Sequence, residues 1–359
     1  MRHLLVMAAG TGGHVIPGLA VAAEMKQRGW TVSWLGTERG LENRLVPAAG
    51  IALDRLAFSG MRGKGLVGNV AGAIRMVGAF FASARIVGRQ RADAVLGMGG
   101  YVCLPGGWVA WLLRKPLLLV NSDATLLLSN RALAPIARRI AFGFAGDSVR
   151  DVGKKAVVTG NPVRSAIESL PAPAARFAGR SGTLRLLVVG GSLGARVLNE
   201  TVPEAIALLG AGQRPRIVHQ TGEAMRDAVK AAYDRFGADA EVVAFIDDMA
   251  SRLEECDVVV CRAGAITVSE LCAAGVAAVL VPFVASTTSH QRDNAEWMAS
   301  RGAAIHLPQG ELSPRRLADL LAGLTRDALV EMATRARALA RPHAAARVAD
   351  EIEAMVAVA

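Results

Sequence analysis

The sequence predicts an α/β protein made of two doubly wound parallel-sheet domains, and three observations carry that prediction. Short apolar runs of strand length alternate with helix-like segments along the whole chain, the pattern of parallel strands covered by helices on both faces. The order of apolar strand, glycine turn and helix occurs twice, at Gly10-Thr11-Gly12-Gly13-His14 and at Gly190-Gly191-Ser192-Leu193-Gly194-Ala195-Arg196. The chain has 359 residues, beyond the size at which a single core usually keeps growing, so one glycine loop falls to each domain.

Composition agrees with an enzyme of this class. Hydrophobic residues make up 52%, aromatic residues only 4%, and there are 38 glycines, which excludes a disordered chain. The net charge of +10 is uneven: residues 1–160 hold 20 Lys and Arg against 8 Asp and Glu, and the remainder hold 21 against 23. A basic first half suits an anionic partner, which can be nucleic acid, a diphosphate substrate or an acidic membrane surface. Cys103, Cys256, Cys261 and Cys272 lack metal-ligand spacing and no secretion signal opens the chain, which together suggest a reducing cytoplasm. The uncharged run Leu271 to Ser289 is broken by Gly275 and Pro282, and reads as helix end, strand and loop instead of a membrane span.

Taken in order, the run Leu4 to Ala8 is the first strand, and the glycine turn after it feeds a helix opened by Pro17. Such a turn is an anion site, because backbone N–H groups and the positive end of the helix converge where side chains are absent. His14 adds a titratable ring at its mouth. Strands follow at Thr31 to Leu35, Ala94 to Leu96 and Leu117 to Val120. Between them, Asn69 to Arg91 has Ile74, Val77, Phe81 and Ala84 at helical spacing with Arg75, Arg85, Arg89 and Arg91 along it. It reads as a helix packed on the sheet or as one lying in a membrane interface. Thr159-Gly160-Asn161-Pro162-Val163-Arg164 is the hinge, which divides the chain into 1–160 and 161–341, with a terminal helix in 342–359. The second domain has strands at Leu184 to Val189, Arg216 to His219, Glu241 to Phe245, Val258 to Cys261 and Ala277 to Val281. In sheets of this kind ligands bind beyond the carboxyl ends of the strands.

An ordered set of motifs resembles the MurG family of peripheral membrane glycosyltransferases, which add N-acetylglucosamine to lipid I in peptidoglycan synthesis. The set comprises Met7 to His14 with Pro17-Gly18-Leu19-Ala20, Ser59 to Gly65, Gly97-Met98-Gly99-Gly100-Tyr101, Gly160 to Arg164, Gly190-Gly191-Ser192, Phe245 to Met249, Arg262 to Glu270, and His290-Gln291 with Asn294. The resemblance implies two facing Rossmann-like domains of the GT-B type with a deep interdomain cleft, and a C-terminal helix crossing back onto the first domain. It also implies inverting transfer from UDP-N-acetylglucosamine to the muramoyl 4-hydroxyl of undecaprenyl-diphospho-muramoylpentapeptide. No cofactor, metal or nucleic acid is expected. The anionic membrane surface and cell-wall synthesis proteins are the further partners implied, at the cytoplasmic face of the bacterial inner membrane.

By the same resemblance, Gly191 and Ser192 meet the donor diphosphate, Ile246 the uracil, Ala265, Ile266, Thr267 and Val268 with Ser269 the nucleotide's diphosphate side, Glu270 the ribose and Gln291 the sugar. Thr11, Gly12 and Gly13 face the diphosphate and the acceptor, Arg164 reaches phosphate oxygens, and Asn130 is a further matching position. A carboxylate at 270 can accept from both ribose hydroxyls. Thr267-x-x-Glu270 is equally a helix capping box, in which Glu270 satisfies only backbone. Asp247-Asp248 is not read as a metal site.

His14 is the leading candidate for the base that removes the acceptor proton. Where the family usually carries His-Glu-Gln-Asn, this chain has Val120-Asn121-Ser122-Asp123, so Asp123 is a second candidate that can assist or replace His14. Two rival functions remain at this level: a UDP-N-acetylglucosamine 2-epimerase on the same scaffold and a non-catalytic basic membrane-binding protein. A dehydrogenase is disfavoured because Gly10 to Gly13 does not complete the G-x-G-x-x-G spacing.

Overall fold

The computed structural model describes residues 1–357 except Thr11, residues 58–64, Ser192, Leu193 and residues 284–289; for residues 65–74 only the backbone is described. The expected contacts of Thr11 and Ser192, and the motif at 59–64, therefore lie outside the described residues. The chain divides into two compact units, Met1–Arg164 with His343–Ala359, and Ser165–Pro342.

Unit 1 is a seven-stranded parallel sheet. Its strands are β1 (His3–Ala8), β2 (Thr31–Thr37), β3 (Ala52–Leu56), β4 (Ala94–Gly99), β5 (Leu117–Asn121), β6 (Arg139–Phe142) and β7 (Ala156–Val158), in spatial order β3-β2-β1-β4-β5-β6-β7. Because successive side chains point to opposite faces, β1 sends Leu4, Val6 and Ala8 into one core and Leu5 and Met7 into the other. The first core is closed by the helices Gly12–Gln27 and Ala344–Ala357, the latter through Val348, Ala349, Ile352 and Met355. Arg28 anchors that terminal helix to Asp350 at 2.7 Å and Glu353 at 2.8 Å. The second core is covered by the helices Gly65–Gln90 and Cys103–Leu112.

Unit 2 is a six-stranded parallel sheet of β8 (Arg185–Val189), β9 (Arg216–Gln220), β10 (Ala240–Val243), β11 (Val258–Cys261), β12 (Ala277–Leu280) and β13 (Ile305–His306), in order β10-β9-β8-β11-β12-β13. In each sheet the order reverses beside the strand that carries the glycine loop, at β1/β4 and at β8/β11. These are the switch points at which doubly wound sheets bind ligands.

Sequence periodicity missed β3, β6, β7 and β13. They are short or mixed in polarity and lie toward the sheet edges, where burial on both faces no longer enforces an apolar run. The first helix also begins earlier than expected. It starts at Gly12, and Pro17 lies inside it, buried along one side with Gly18, where an added Cβ would sit 2.7 Å from Trp34. That close approach holds the loop-bearing helix down on the sheet.

Candidate active site

In unit 1 the site is assembled from loops after β1, β4 and β5. Gly10 takes φ +98°, and the residue is held from both sides: its N–H donates to Glu42 Oε2 at 3.0 Å, and its carbonyl accepts from Leu41 N at 3.1 Å. Glu42 is fully buried, and its other oxygen accepts from Thr37 N at 3.0 Å and Thr37 Oγ1 at 2.7 Å. Gly12, Gly13 and His14 form the first helical turn, whose N–H groups have no intrahelical acceptor.

The imidazole of His14 lies on the backbone of Gly99. A Cβ at Gly99 would stand 2.5 Å from Cδ2 and 2.7 Å from Nε2, and one at Gly100 would stand 2.7 Å from the Ala9 carbonyl. The glycines at the end of β4, at φ +118° and +89°, are therefore the seat of the histidine and of the loop that carries it. His14 Nδ1 lies 3.4 Å from the Ala9 carbonyl, which only accepts, so this contact places the ring proton on Nδ1 and the lone pair on Nε2. Burial pushes the His14 pKa below its usual 6.5, partly opposed by the Ala9 carbonyl and by the charges of Asp123 and Glu42. A neutral ring with an unprotonated acceptor nitrogen is the form a general base requires.

Asp123 is half-buried on the loop after β5. Two buried asparagines shape that loop: Asn121 Nδ2 donates to the carbonyls of Asp123 at 2.8 Å and Thr125 at 3.0 Å, while its Oδ1 accepts from Leu127 N at 3.0 Å. Asn130, expected at the substrate, is fully buried, with its amide donating to Val120 O at 3.0 Å and Asn121 Oδ1 at 3.1 Å. It supports the loop that presents Asp123. Arg164 is half-buried at the last residue of this segment of unit 1.

In unit 2 the loops after β8 to β12 carry the expected donor residues. Gly191 takes φ +84° and Gly194 +75°; a Cβ on Gly194 would collide with the Thr221 carbonyl. Ile246, Ala265 and Ile266 are buried, at 7%, 7% and 8% exposure, with surfaces that close a site more readily than they reach into solvent. The helix Ala265–Ala274 has Gly264 as its N-cap, so Thr267 stands at the third helical position and Glu270 three residues further along. A capping box would need Thr267 at the cap; this geometry removes that role from Glu270, a buried carboxylate. Thr267 and Ser269 are half-buried on the same helix, and Val268 is fully buried. Gln291 is half-buried, its Oε1 accepting from Phe283 N at 2.9 Å. Asp248 caps the helix Met249–Glu255 by accepting from Ser251 N at 3.2 Å, which gives one member of the acidic pair a structural task.

Two polar residues escaped sequence reasoning, Glu42 and Gln220, each of which grips a loop glycine from a distant segment. Neither belongs to a motif with local grammar. A third, His219, is fully buried between Tyr233 OH at 2.9 Å and Asn199 Oδ1 at 3.1 Å, and Asn199 in turn supports the Thr221 carbonyl at 3.0 Å. Burial lowers its pKa to about 3. The unfolded chain therefore takes up this proton first: the stability that His219 contributes is complete above pH 6.5 and is lost as pH falls toward 3, at about 1.4 kcal/mol per pH unit. Thermal unfolding between pH 4 and 8 should show this acid slope, and His219→Gln should flatten it; equal slopes in the two proteins would assign the acid sensitivity to other groups.

Residues 4–142 match the glycosyltransferase family 28 N-terminal domain, and residues 185–352 match the family's C-terminal domain. A curated relative from Methylibium petroleiphilum, named UDP-N-acetylglucosamine--N-acetylmuramyl-(pentapeptide) pyrophosphoryl-undecaprenol N-acetylglucosamine transferase, is 67% identical over 99% of this chain and 98% of its own. A relative of the same name from Chromobacterium violaceum is 66% identical over 97% of both chains. Among solved structures, Acinetobacter baumannii MurG superposes with a TM-score of 0.81 at 37% identity, covering 99% of this chain and 100% of that one. Likeness of this degree along the whole length, on two parallel-sheet units with a glycine loop at each switch point, places the chain in the MurG family of glycosyltransferase family 28.

Proposed function

We propose that the protein transfers N-acetylglucosamine from UDP-N-acetylglucosamine to the muramoyl 4-hydroxyl of undecaprenyl-diphospho-muramoylpentapeptide, converting lipid I to lipid II in peptidoglycan synthesis. The observation that carries this reading is the 67% identity to a named transferase over nearly the whole chain. We assign the acceptor to unit 1 and the nucleotide sugar to unit 2. His14 Nε2 takes the proton of the acceptor hydroxyl as that oxygen attacks the anomeric carbon from the face opposite UDP, giving inversion. Backbone N–H groups at the second glycine loop and at the start of the helix Ala265–Ala274 stabilise the departing diphosphate, the role oriented dipoles serve at developing charge. Glu270 holds the ribose, Ile246 lines the uracil and Gln291 orients the sugar.

The decisive assay is transfer of labelled N-acetylglucosamine from UDP to a lipid I analogue, with and without EDTA. Product formed at an unchanged rate in EDTA is expected. Conversion of UDP-N-acetylglucosamine to its 2-epimer without acceptor would point to the epimerase reading, and absence of turnover with intact UDP binding would leave a non-catalytic protein.

Docking at the cytoplasmic membrane face rests on one surface of unit 1. Among the described residues, no helix is long and apolar enough to cross a membrane. The helix Gly65–Gln90 buries Ala79, Ser83 and Val87 toward the core and leaves Val77 and Phe81 at 56% and 69% exposure beside the exposed Arg75, Arg85 and Arg89. The neighbouring helix Cys103–Leu112 adds exposed Trp108 and Trp111, stacked edge to face at 5.7 Å, followed by exposed Leu112, Leu113 and Arg114. An apolar centre with a basic rim is the composition of an interfacial surface. Flotation should show binding that needs anionic lipid and weakens with salt, and Phe81→Ser with Trp111→Ser should lower it by about tenfold or more, since each ring contributes roughly 2 kcal/mol when buried. Equal flotation of the double variant would return both helices to a purely structural role.

A further inference from the structure

We propose that Gln220 is a positioning residue that locks the diphosphate-binding and uracil-binding segments of the donor site into one arrangement before the nucleotide arrives. The inference rests on the reading of unit 2 as the donor site.

Gln220 ends β9 and is buried at 2% exposure. Its side-chain Oε1 accepts from Gly191 N at 3.1 Å, and its Nε2 donates to the Gly191 carbonyl at 2.8 Å and to the Ala244 carbonyl at 3.1 Å. One primary amide thus closes a ring on a single residue of the glycine loop and uses its second N–H on the segment that leads to Ile246. Gly191 sits at φ +84°, a conformation in which glycine has wide freedom. Gripped on both its N–H and its carbonyl, it is a fixed point from which the chain continues to Ser192. Ala244 is doubly held, since its carbonyl also accepts from Gly222 N at 3.1 Å.

Only this side chain meets the demand. A carboxylate has no N–H to give to two carbonyls, methionine has neither donor nor strong acceptor, and asparagine is one methylene shorter. The comparison with unit 1 sharpens the point. There the equivalent loop glycine, Gly10, is held by the carboxylate of Glu42 and the N–H of Leu41. A carboxylate directly beneath a diphosphate would oppose it, whereas a neutral amide would not. The two clamps therefore differ in charge: the loop of unit 2 rests on a neutral amide and the loop of unit 1 on a carboxylate.

Gln220→Met keeps the volume and removes the clamp, while Gln220→Glu restores one acceptor and adds charge. The Met variant should raise the donor KM and the UDP Kd by about tenfold, the scale of one or two loop residues that must be ordered on binding, with the acceptor KM close to wild type. The Glu variant should lose more than the Met variant. Amide exchange adds a readout that general destabilisation would not reproduce: the amides of Gly191 and of 243–246 should be protected in the free wild-type protein, lose protection together in the Met variant, and regain it with excess UDP. Variants that bind UDP within twofold of wild type, or loss of protection in one segment without the other, would overturn the proposal. Should neither variant fold, the wild-type protein decides alone, because unprotected exchange of Gly191 without UDP is incompatible with the clamp. Failure of wild-type protein to bind UDP would instead overturn the donor-site reading together with this inference.

Discussion

His14→Ala and His14→Gln should each lower kcat by about 10²–10⁴-fold, the range over which a positioned general base acts, while leaving the donor KM nearly unchanged. The expectation follows from a ring seated on Gly99, with Nδ1 at the Ala9 carbonyl and Nε2 as the acceptor nitrogen. The sign of the pH dependence is set by the environment of the ring. Burial lowers the His14 pKa from 6.5, so the neutral base is present at and above that pH and the acid limb of the rate profile lies below it. Asp123 and Glu42 oppose the shift, so Asp123→Asn should move the limb to still lower pH. If Asp123 were itself the base, that variant would abolish turnover; an unchanged profile and rate would remove it from both roles. Turnover of the folded His14 variants near the wild-type rate would eliminate His14 as the base.

Glu270→Ala should raise the donor KM by roughly 10–100-fold, because hydrogen bonds to a charged group are worth about 1.5–3 kcal/mol. The specific signature is the ribose. Wild-type protein should prefer UDP over 2′-deoxy-UDP, and the variant should bind both alike, with acceptor KM unaffected. Since Gly264 caps the helix and Thr267 does not, the substitution removes no cap. A variant that keeps its preference for the ribose hydroxyl would show that Glu270 lies off the nucleotide; a large fall in stability with unchanged donor KM would make it a structural carboxylate after all.

Much of this was legible along the chain because it is local. Leu4 to Ala8 and Leu186 to Val189 are apolar because central parallel strands are buried on both faces, and the glycines after them are required where backbone adopts positive φ. The edge elements were not legible, because strands such as Ala52–Leu56 are only partly buried and carry no continuous apolar run. The helix start was misread at Pro17 because proline is favoured in a first turn, yet here the turn begins at Gly12 and the proline is accommodated further in.

The divergent loop shows the same division. Asp123 and Asn130 are both polar residues near a motif, the first a candidate base and the second a position matched by the resemblance. The fold buries Asn130 under β5 and spends its amide on Val120 and Asn121, while Asp123 remains half-buried and electrically coupled to His14.

By itself, then, the sequence determined the fold class, the family, and the two glycine loops with His14, since each depends on periodicity, backbone freedom or an ordered set of short motifs. Tertiary structure alone decided what holds those loops. Gly99 lies under His14 because β4 is placed beside β1; Glu42 grips Gly10 across 32 residues, and Gln220 grips Gly191 across 29. Such pairings arise from strand order and loop closure in three dimensions. No spacing along the chain encodes them, because a side chain that reaches a distant backbone leaves no periodic trace of its own.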